Sequence, residues 1–513
     1  MDSSKSMFLK PVASLVPNTL AFETTPLVKP TGFREYDARW WFGVPGSPVP
    51  PELNLMGATA IGMGLGTLLG EMGIHRDVVT GHDYRAYSAS IKMALVAGLV
   101  ASGCRVRDIG LAVTPMAYFA QFALDVPAVA MVTASHNENG WTGVKMGSER
   151  PLTFGPREMN RLKDIVLSST FNQKSGGAYE FVPGFAERYI AEFGAMPRWK
   201  RRMKVVVACG NGTAGAFAPR VLANLGAEVV PLDTELDYTF PRYNPNPEDM
   251  EMLHAISAAV RDSGADVGLG FDGDGDRCGA IDNHGEEIFA DKVGVLLARD
   301  LSAVHPNATF VVDVKSTGLF ATDPVLKATG ARTDYWMTGH SYIKRRVNEL
   351  HALAGFEKSG HYFFAPPIGR GYDDGILSAI AILDMLDRNP GKSLADLRDG
   401  LARTWGSPTM SAACPDDEKY AVADAVRARF EAIRAAGDKV GGHAIVDLVT
   451  INGVRVVTDD GTWGLVRASS NKPELVVVVE SPVSEARMRA MFAAVDAALR
   501  AGSSSVGKYN QTV

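Results

Sequence analysis

Short apolar runs rich in β-branched residues alternate with amphipathic stretches over most of this chain. Buried parallel strands read as continuous apolar runs, and helices that cover a sheet carry apolar residues at three- and four-residue spacing. The predicted strands include Lys204–Ala208, Val267–Phe271, Thr309–Val314, Ala444–Ile451 and Tyr362–Phe364, and the predicted helices include Ser88–Val100, Gly375–Leu386, Tyr420–Ala435 and Ser484–Leu499. The pattern therefore predicts an α/β fold.

The chain has 513 residues, more than one hydrophobic core can usually serve. A basic, Pro-containing segment at 196–202 and Pro- and Gly-containing segments at 387–392 and 406–408 mark changes in composition. We predict three tandem mixed α/β domains of related topology and a C-terminal α+β domain around a central cleft. The predicted boundaries are 1–198, 199–292, 293–406 and 407–513.

Composition excludes several classes of protein. The formal net charge of −6 supplies no basic stripe of the kind that binds nucleic acid. The four cysteines are far apart in the sequence and form no C-x-x-C pair, which argues against a disulfide framework or zinc site. Residues 1–7 lack the apolar stretch of a signal peptide, and no apolar run is long enough to span a membrane. We therefore expect a cytoplasmic protein.

Turn-rich loops recur in each third of the first 400 residues, where an early loop precedes a more charged one. The early loops are Gly81–Ser88, Cys209–Gly215 and Asp313–Gly318, and the later ones are Thr133–Lys145, Asp272–Arg277 and Gly355–His361. Ligands of α/β sheets bind at the carboxyl ends of the parallel strands. These loops are therefore the first place to look for a site.

Three aspartates at alternate positions, Asp272, Asp274 and Asp276, follow the predicted strand Val267–Phe271 and have glycines between them. Glycine lets the backbone curl so that alternate carboxylates converge on one hard cation, for which Mg²⁺ is the first choice. An acidic surface turn and an EF-hand fragment are the alternatives. An EF-hand would need a glutamate at loop position 12, where this chain has Asn283.

Ser135 follows a short apolar run and lies in a polar loop that contains Gly140. Most loop serines are turn residues or helix N-caps. His136, beside the serine, and Lys145, ten residues later, favour a nucleophile instead. Together with the aspartates, the serine suggests metal-assisted phosphoryl transfer, in which positive charge stabilises the transition state.

Three further loops carry polar side chains that the sequence alone assigns to neither a functional nor a purely structural role. Glu357, Ser359 and His361 alternate in a loop suited to sugar hydroxyls, although a capped turn before a strand would look the same. The loop with Arg467, Ser469, Ser470 and Asn471 offers donors to a phosphate, or is a plain β-turn. His340 is a candidate proton carrier, but most lone histidines are surface or core residues.

Taken in order, these motifs resemble those of the α-D-phosphohexomutases, most closely the bacterial phosphomannomutase/phosphoglucomutase branch. The resemblance spans nearly the whole chain, and an ordered set is far more specific than any single motif. The matching segments are Phe33–Arg39, Thr133–Asn137, Asp272–Arg277, Asp313–Lys315, Thr338–Ser341, Gly355–His361 and Arg467–Pro473.

The resemblance implies a role for each matching residue. Ser135 would carry the phosphoryl group and, with Asp272, Asp274 and Asp276, would hold Mg²⁺. The transfer site would be lined by Lys145, His340, Arg39 and Arg277, with Lys145 and His340 as partners in proton transfer. Glu357 and Ser359 would bind the 3- and 4-hydroxyls of the sugar, and the other substrate-binding residues would be His361, Lys315, Tyr36, His136, Arg467, Ser469, Ser470 and Asn471.

The implied activity interconverts hexose 1-phosphate and hexose 6-phosphate, of mannose or glucose, through a phosphoserine and a 1,6-bisphosphate intermediate. Hexose 1,6-bisphosphate would be the activator, and the partners would be small sugar phosphates, without nucleic acid or membrane, in a monomer or weak homodimer. A phosphoglucosamine mutase is the alternative within the fold. A Mg²⁺-dependent sugar phosphatase and a sugar-phosphate sensor without catalytic activity are the alternatives outside it.

The chain departs from the family pattern at four places. Ser470-Asn471 replaces the usual Asn-Thr or Gly-Thr pair of the phosphate loop, and Asn137-Glu138 replaces the usual Asn-Pro after the serine. Phe356 and Trp40 stand where glycine is common. None of these changes removes a residue needed for chemistry, and each is a candidate determinant of substrate preference.

Overall fold

The apolar runs form strands close to where the sequence predicts them. Lys204–Ala208 and Val267–Phe271 are strands with the predicted bounds, and the strand predicted at Thr309–Val314 ends one residue earlier. The strands are β1 (Ala38–Trp41), β2 (Asp77–His82), β3 (Arg105–Leu111), β4 (Ala128–Val132), β5 (Trp141–Gly147), β6 (Ala178–Phe181), β7 (Lys204–Ala208), β8 (Glu228–Leu232), β9 (Val267–Phe271), β10 (Cys278–Ile281), β11 (Glu287–Ile288), β12 (Thr309–Asp313), β13 (Arg332–Trp336), β14 (Ala354–Phe356), β15 (Tyr362–Phe364), β16 (Tyr372–Asp373), β17 (Trp405–Gly406), β18 (Met410–Ala413), β19 (Lys439–Val440), β20 (His443–Val449), β21 (Val454–Thr458), β22 (Trp463–Ala468) and β23 (Glu474–Ser481).

The four predicted helices also form, each within a few residues of its predicted bounds. The helices are α1 (Leu20–Thr24), α2 (Leu55–Glu71), α3 (Ser88–Ala101), α4 (Thr114–Ala123), α5 (Pro156–Ser168), α6 (Phe185–Gly194), α7 (Ala218–Leu225), α8 (Met250–Ser263), α9 (Ala290–Val304), α10 (Leu319–Thr322), α11 (Pro324–Ala328), α12 (His340–Glu349), α13 (Gly375–Arg388), α14 (Leu394–Asp399), α15 (Lys419–Ala436) and α16 (Glu485–Gly502), with 3₁₀ turns at Pro30–Gly32 and Thr213–Ala216. Side chains cap several of these helices, for example Asp249 at α8 and Asp374 at α13.

The computed structural model describes residues 8–513 and divides into two units. The first unit is the chain up to Ile288 together with Ser359–Ala395, and the second is Phe289–Lys358 together with Asp396–Val513. Residues 1–7, for which the sequence predicts no signal peptide, lie outside the described part. Within residues 8–513, no helix combines the length and the apolar character that a membrane span requires.

Two sheets of the first unit share one topology. The first has the order β1-β5-β4-β2-β3-β6, and the second has the order β11-β10-β9-β7-β8. In each, the first parallel strand lies between the second and the third, and antiparallel strands extend the sheet beyond the third. β4 and β9, the third strands, are buried along their whole length, as their continuous apolar runs predict.

The second unit repeats the parallel part of this topology and adds an antiparallel sheet. β12 lies between β13 and β14, and both are parallel to it. The antiparallel sheet follows the order β17-β23-β22-β21-β20-β19, with β18 also paired to β23. Helices α15 and α16 contribute Phe430, Met491 and Leu499 to the core below this sheet. The predicted α/β class, with a C-terminal α+β segment, is confirmed.

Three of the predicted loops occupy one position in the shared topology. Ser135 lies in the connection that leaves β4, Asp272 directly follows β9, and Glu357 directly follows β14. Each of these strands is the third parallel strand of its set. The chain thus places its candidate chemistry at the carboxyl end of the equivalent strand each time.

Candidate active site

Ser135 lies in the short connection between β4 and β5 and is 1% exposed. Its backbone adopts the left-handed conformation with φ of 51°, which is uncommon for a residue with a side chain. The amide of Ser135 donates to Thr133 Oγ1 at 2.8 Å. Its hydroxyl donates to Asp272 Oδ2 at 2.9 Å, so the serine reaches the aspartate loop directly.

The aspartate loop between β9 and β10 is curled and buried. Oδ1 of Asp272 accepts from the amides of Asp276 and Arg277, at 3.1 and 3.2 Å. One carboxylate oxygen from each of Asp272, Asp274 and Asp276 lies within 4.8 Å of the others, and all three residues are 0% exposed. The three carboxylates that the sequence predicts to converge do so.

The donor set fits a metal ion. Oδ1 of Asp274 and Oδ1 of Asp276 are buried and accept no hydrogen bond within residues 8–513. A buried carboxylate oxygen without a partner is costly, and a hard divalent cation is the partner that several such oxygens share. The cluster can therefore bind a metal ion.

The backbone of the two loops meets at Gly273. A Cβ atom at this position would lie 2.6 Å from the carbonyl oxygen of Ser135. Any other residue would push the serine loop away, so glycine is required here for close approach. The spacing of glycines in the aspartate loop thus also sets the distance between the serine and the carboxylates.

Lys145 on β5 brings positive charge to this cluster. Its ammonium donates to Asp274 Oδ2 at 2.8 Å and also to Asp276 Oδ2. Burial alone would lower the pKa of Lys145, but the two carboxylates raise it above its ordinary value. Burial would conversely raise the pKa of Asp274, but Lys145 and the hydroxyl of Thr114 lower it below its usual range. Lys145 is thus held in its charged form.

Two buried arginines flank the carboxylates. Arg39 on β1 binds Asp37 through Nε and Nη2, both at 3.1 Å, and its Nη1 is buried and donates to no described residue. Arg277 donates from Nε to His361 Nε2 at 2.9 Å and lies 3.7 Å from Asp272 Oδ2. Burial opposes the charge on Arg39 and Arg277, but the neighbouring carboxylates raise both pKa values. Arg39 has a nitrogen available for an anion.

His361 connects Arg277 to a residue that sequence reasoning missed. Nδ1 of His361 lies 3.0 Å from Asp373 Oδ2, while Nε2 accepts from Arg277. These partners place the ring proton on Nδ1. Asp373 is 0% exposed and belongs to the Tyr-Asp-Asp-Gly segment that ends at Gly375. The sequence of this segment gives no sign that it lies near the other site residues.

The first unit also contains Tyr36, His136 and Ser359. Tyr36 is 5% exposed, and Nδ1 of His136 lies 3.4 Å from Ser135 Oγ. The carbonyl of His136 accepts a hydrogen bond from Asn244 Nδ2. The division between the units falls between Lys358 and Ser359, so Ser359 and His361 belong to the first unit and Glu357 to the second.

In the second unit, the ends of β12, β13 and β14 bring Lys315, His340 and Glu357 into neighbouring loops. Asp313 Oδ2 lies 3.7 Å from Lys315 Nζ and accepts from Thr338 Oγ1 at 3.3 Å. Glu357 Oε1 accepts from the amide of Gly339, directly before His340, at 2.6 Å. Lys315, His340 and Glu357 are all mostly buried.

The phosphate-loop residues lie at the end of β22, which includes Arg467, and in the turn that leads to β23 in the same unit. Arg467 donates from Nε to Asn452 Oδ1 at 2.6 Å and from Nη2 to Ser470 Oγ at 3.1 Å. Ser469 Oγ accepts from the amide of Lys472 at 3.2 Å. Asn452, which sequence reasoning also missed, further accepts from the amide of Thr338 at 3.4 Å. It therefore joins the Arg467 loop, which also holds Asn471, to the loop before His340.

Two of the departures from the family pattern are core residues. Phe356 is 0% exposed and packs against Phe310 and Phe320, with ring centroids 5.9 and 5.7 Å away. Trp40 is 0% exposed, lies against Phe33 and donates from its indole to the carbonyl of Lys29. Both side chains fill the interior, so they are poor candidates for determinants of substrate preference.

Comparison with known proteins gives matches along almost the whole chain. Residues 31–173, 184–285 and 289–404 match the domains described as phosphoglucomutase/phosphomannomutase alpha/beta/alpha domains I, II and III, and residues 411–498 match the C-terminal domain of that family. The phosphomannomutase/phosphoglucomutase of Pseudomonas syringae pv. tomato is 34% identical, over 89% of this chain and 92% of that protein.

Two further matches cover similar lengths. The phosphoglucomutase of Neisseria meningitidis serogroup A is 32% identical over 90% of this chain and 96% of its own. The crystal structure of a phosphoglucomutase/phosphomannomutase family protein from Burkholderia thailandensis superposes with a TM-score of 0.81 at 29% identity, covering 94% of this chain and 99% of that one. The matches thus include all four domains.

Proposed function

The chain belongs to the phosphoglucomutase/phosphomannomutase family and interconverts hexose 1-phosphates and hexose 6-phosphates, and we propose that Ser135 carries the phosphoryl group in this exchange. The observation that supports this role is the hydrogen bond of 2.9 Å from the Ser135 hydroxyl to Asp272, beside Lys145 and the other two aspartates. A phosphoryl group on this serine would meet positive charge and little water, conditions that favour transfer to a sugar over hydrolysis.

We propose Mg²⁺ as the metal ion, with Asp272, Asp274, Asp276 and the group on Ser135 as its ligands. The oxygen-only donor set and the two buried carboxylate oxygens without hydrogen bonds support a hard cation. When bound, the ion would neutralise negative charge on the phosphoryl oxygens.

The protein's own residues would complete the transfer. The phosphorus–oxygen bond to Ser135 breaks as one to the free hydroxyl of the hexose monophosphate forms, and the hydroxyl proton passes to a base. Lys145 and His340 are the proposed partners in proton transfer: His340 would accept the hydroxyl proton, and Lys145, which is held in its charged form, would donate a proton to the leaving oxygen. Arg39, through Nη1, and Arg277 would bind phosphoryl oxygens by charge-assisted hydrogen bonds. The return step, from the other end of the 1,6-bisphosphate, restores the phosphoserine.

Substrate contacts are proposed for the remaining residues. Glu357 and Ser359 would bind the 3- and 4-hydroxyls, with Lys315 and His361 near the sugar. Arg467 would bind the phosphate that is not transferred, as its buried guanidinium and the hydroxyl of Ser470 form one donor group. Ser469 and Asn471 belong to the same loop, and Tyr36 and His136 are proposed to contact the substrate from the first unit.

We propose hexose 1,6-bisphosphate as activator, because an enzyme that has lost its phosphoryl group to water needs it to regain the phosphoserine. Mannose and glucose phosphates are the proposed substrates, in the cytoplasm, for a monomer or weak homodimer with the four domains predicted above. Glucosamine phosphate is the alternative substrate.

The decisive experiment is phosphorus NMR with Mg²⁺ and a catalytic amount of glucose 1,6-bisphosphate. Mannose 1-phosphate, glucose 1-phosphate and glucosamine 1-phosphate are offered separately. With mannose 1-phosphate or glucose 1-phosphate, we expect the signal of the matching 6-phosphate to grow. Ser135→Ala should abolish this growth. Growth of inorganic phosphate alone would instead support a phosphatase, and preference for the amino sugar would support the glucosamine alternative.

A further inference from the structure

Arg85, on the early loop Gly81–Ser88, binds the backbone of the serine loop. Its Nη2 donates to the carbonyl oxygens of Ser135 and Asn137, at 2.9 and 2.7 Å, and its Nη1 donates to that of Glu138 at 3.0 Å. The side chain of Arg85 is 1% exposed. Three hydrogen bonds from one buried guanidinium therefore hold the loop on the side that follows the serine.

Asp83 holds the same loop on the side that precedes the serine. Its Oδ2 accepts from Thr133 Oγ1 at 2.8 Å and from the amide of Ala134 at 3.2 Å. The same oxygen accepts from Arg85 Nε at 3.2 Å, so the two charges neutralise each other in the interior. Ser88 Oγ donates to the second oxygen of Asp83.

Ser135 needs this support because its backbone is in a sparsely populated conformation. A non-glycine residue at φ of 51° persists only where its surroundings fix it. The carbonyl that Arg85 binds belongs to Ser135 itself, and Gly273 of the aspartate loop approaches that same oxygen. The direction of the serine hydroxyl toward Asp272 thus depends on the peptide that Arg85 holds.

We propose that Arg85, supported by Asp83, is a positioning residue for the phosphoserine, an inference that rests on the proposed role of Ser135. It fixes the serine loop so that the hydroxyl, or the phosphoryl group it carries, lies in line for transfer. Arg85 acts through the backbone of the serine loop and does not contribute to substrate affinity. Its loss should therefore lower kcat and leave KM nearly unchanged.

A second buried ion pair in the same unit provides a matched control. Lys92 on α3 donates to Asp108 Oδ2 on β3 at 2.5 Å, and both side chains are almost fully buried. Lys92→Gln and Arg85→Gln each leave one buried aspartate without its cation, so their general cost to stability should be similar. Only Arg85→Gln releases the serine loop.

The test compares the two variants with the wild-type protein, using glucose 1-phosphate, Mg²⁺ and catalytic glucose 1,6-bisphosphate. For Arg85→Gln we expect kcat to fall about 100-fold, as small displacements of a reacting group can do, with KM within about twofold. The ratio of inorganic phosphate to glucose 6-phosphate should rise, because a displaced phosphoserine loses its group to water. Lys92→Gln should change neither kcat nor this ratio by more than about twofold.

Equal kcat and equal phosphate release in the two variants would overturn the proposal, as would a rise in KM without a fall in kcat. If Arg85→Gln does not fold, Arg85→Lys keeps the charge beside Asp83 but cannot reach all three carbonyls, and the same split between kcat and KM is expected. The proposed function is tested separately by the mass of the wild-type phosphoprotein and its loss in Ser135→Ala. Absence of phosphate on wild-type Ser135 would reject both the role of Ser135 and that of Arg85. If the wild-type protein carries the phosphate and turns over normally, the Arg85 variants alone decide the positioning role.

Discussion

The negative charge of the carboxylates near Ser135 is balanced by few side chains. Asp272, Asp274 and Asp276 bring three carboxylates into a buried space, and Lys145 is the cation in direct hydrogen-bond contact with two of them. In the low-dielectric interior such a group is costly to leave uncompensated. Lys145 therefore has a structural effect as well as its proposed part in catalysis.

Lys145→Met should lower the free energy of unfolding by about 3 kcal/mol without metal, because it leaves two buried carboxylates unpaired. Added Mg²⁺ should raise the free energy of unfolding more in Lys145→Met than in the wild type, since the cation replaces the missing charge. Urea denaturation with and without Mg²⁺ measures both quantities. Lys92→Met, which breaks the pair with Asp108, should lose stability but gain no more from Mg²⁺ than the wild type does.

Asp374 makes stability depend on pH. Burial raises its pKa to about 7, with hydrogen bonds from two backbone amides and from Tyr189 opposing the shift and the nearby Asp373 adding to it. The folded protein holds this proton to a higher pH than the unfolded chain does. The stability contribution of this group should therefore be greatest near pH 4 and fall as pH rises to about 7.

Asp374→Asn should remove this dependence while keeping the cap of α13, because asparagine also accepts from helix amides. At pH 8 we expect the variant to be more stable than the wild type by up to about 4 kcal/mol, and at pH 4 to be nearly equal. Urea midpoints at the two pH values test this. An unchanged difference between them would show that Asp374 is charged in the folded state.

The residues that sequence reasoning found differ from those it missed in how they are specified. Asp272, Asp274 and Asp276 lie within five positions, so their spacing and glycines predict convergence. Asp373 and Asn452 act on partners that lie 12 and 15 positions away in sequence, with a turn between. Arg85 meets carbonyl oxygens some 50 positions away, and backbone acceptors leave no trace in residue type. Such contacts need the tertiary structure.

At the scale of elements, agreement between sequence and structure follows burial. β7 and β9 carry uninterrupted apolar runs, and their bounds are as predicted. β16 has two residues, Tyr372 and Asp373, which are too few to show any period. Short strands of this kind are defined by the hydrogen bonds of their neighbours, so the pattern of their own residues cannot predict them.

Gly273→Ala should displace the connection between β4 and β5, because its methyl group would lie 2.6 Å from the Ser135 carbonyl. We expect kcat to fall about 100-fold, as for other misplacements of a reacting group. Gly194→Ala, at an exposed helix end with open space around it, is the control and should retain normal kcat. Steady-state kinetics with glucose 1-phosphate compares the two, and equal activity would contradict the close approach.

Asn452→Ala should weaken substrate binding through the turn between β20 and β21. Arg467 would lose the acceptor of its Nε proton and so its fixed direction, which should raise KM for hexose 1-phosphate about tenfold, as expected for one charged hydrogen bond. The kinetic parameters measured with Asn389→Ala, an asparagine that caps α13 locally, provide the reference. A normal KM in Asn452→Ala would mean that Arg467 is held by Ser470 alone.

At the scale of the whole molecule, the proposed groups are distributed between two units. Ser135, the three aspartates, Lys145, Arg39, Arg277 and His361 belong to the first, and Glu357, His340, Lys315 and Arg467 to the second. In the second unit, Arg455 donates to the carbonyls of Val314 and Ser316 and stacks 3.7 Å over Trp463, joining the C-terminal sheet to the strands before it. Composition alone could not have predicted this pairing.

Mg²⁺ without sugar should therefore act on one part of the chain. We expect slower amide hydrogen exchange in the connections that follow β4 and β9, since a bound ligand stabilises the segments that hold it. Exchange in β21 to β23 should stay unchanged. Mass spectrometry of the exchanged protein resolves these regions, and Asp274→Asn, which removes a charge from the donor set, should abolish the effect. Protection confined to the C-terminal sheet would contradict the assignment of the metal ligands.

The repeated placement of loops after the third parallel strand has a consequence for inheritance. The proposed nucleophile, the proposed cation site and the proposed acceptor for hydroxyls follow equivalent strands, so different chemistry can be placed on one architecture by changing the loop after that strand. Insertions and deletions in descendants of this sequence should then accumulate in the other connections. The spacing from each third strand to its first functional residue should be the part of the gene that tolerates no change of length.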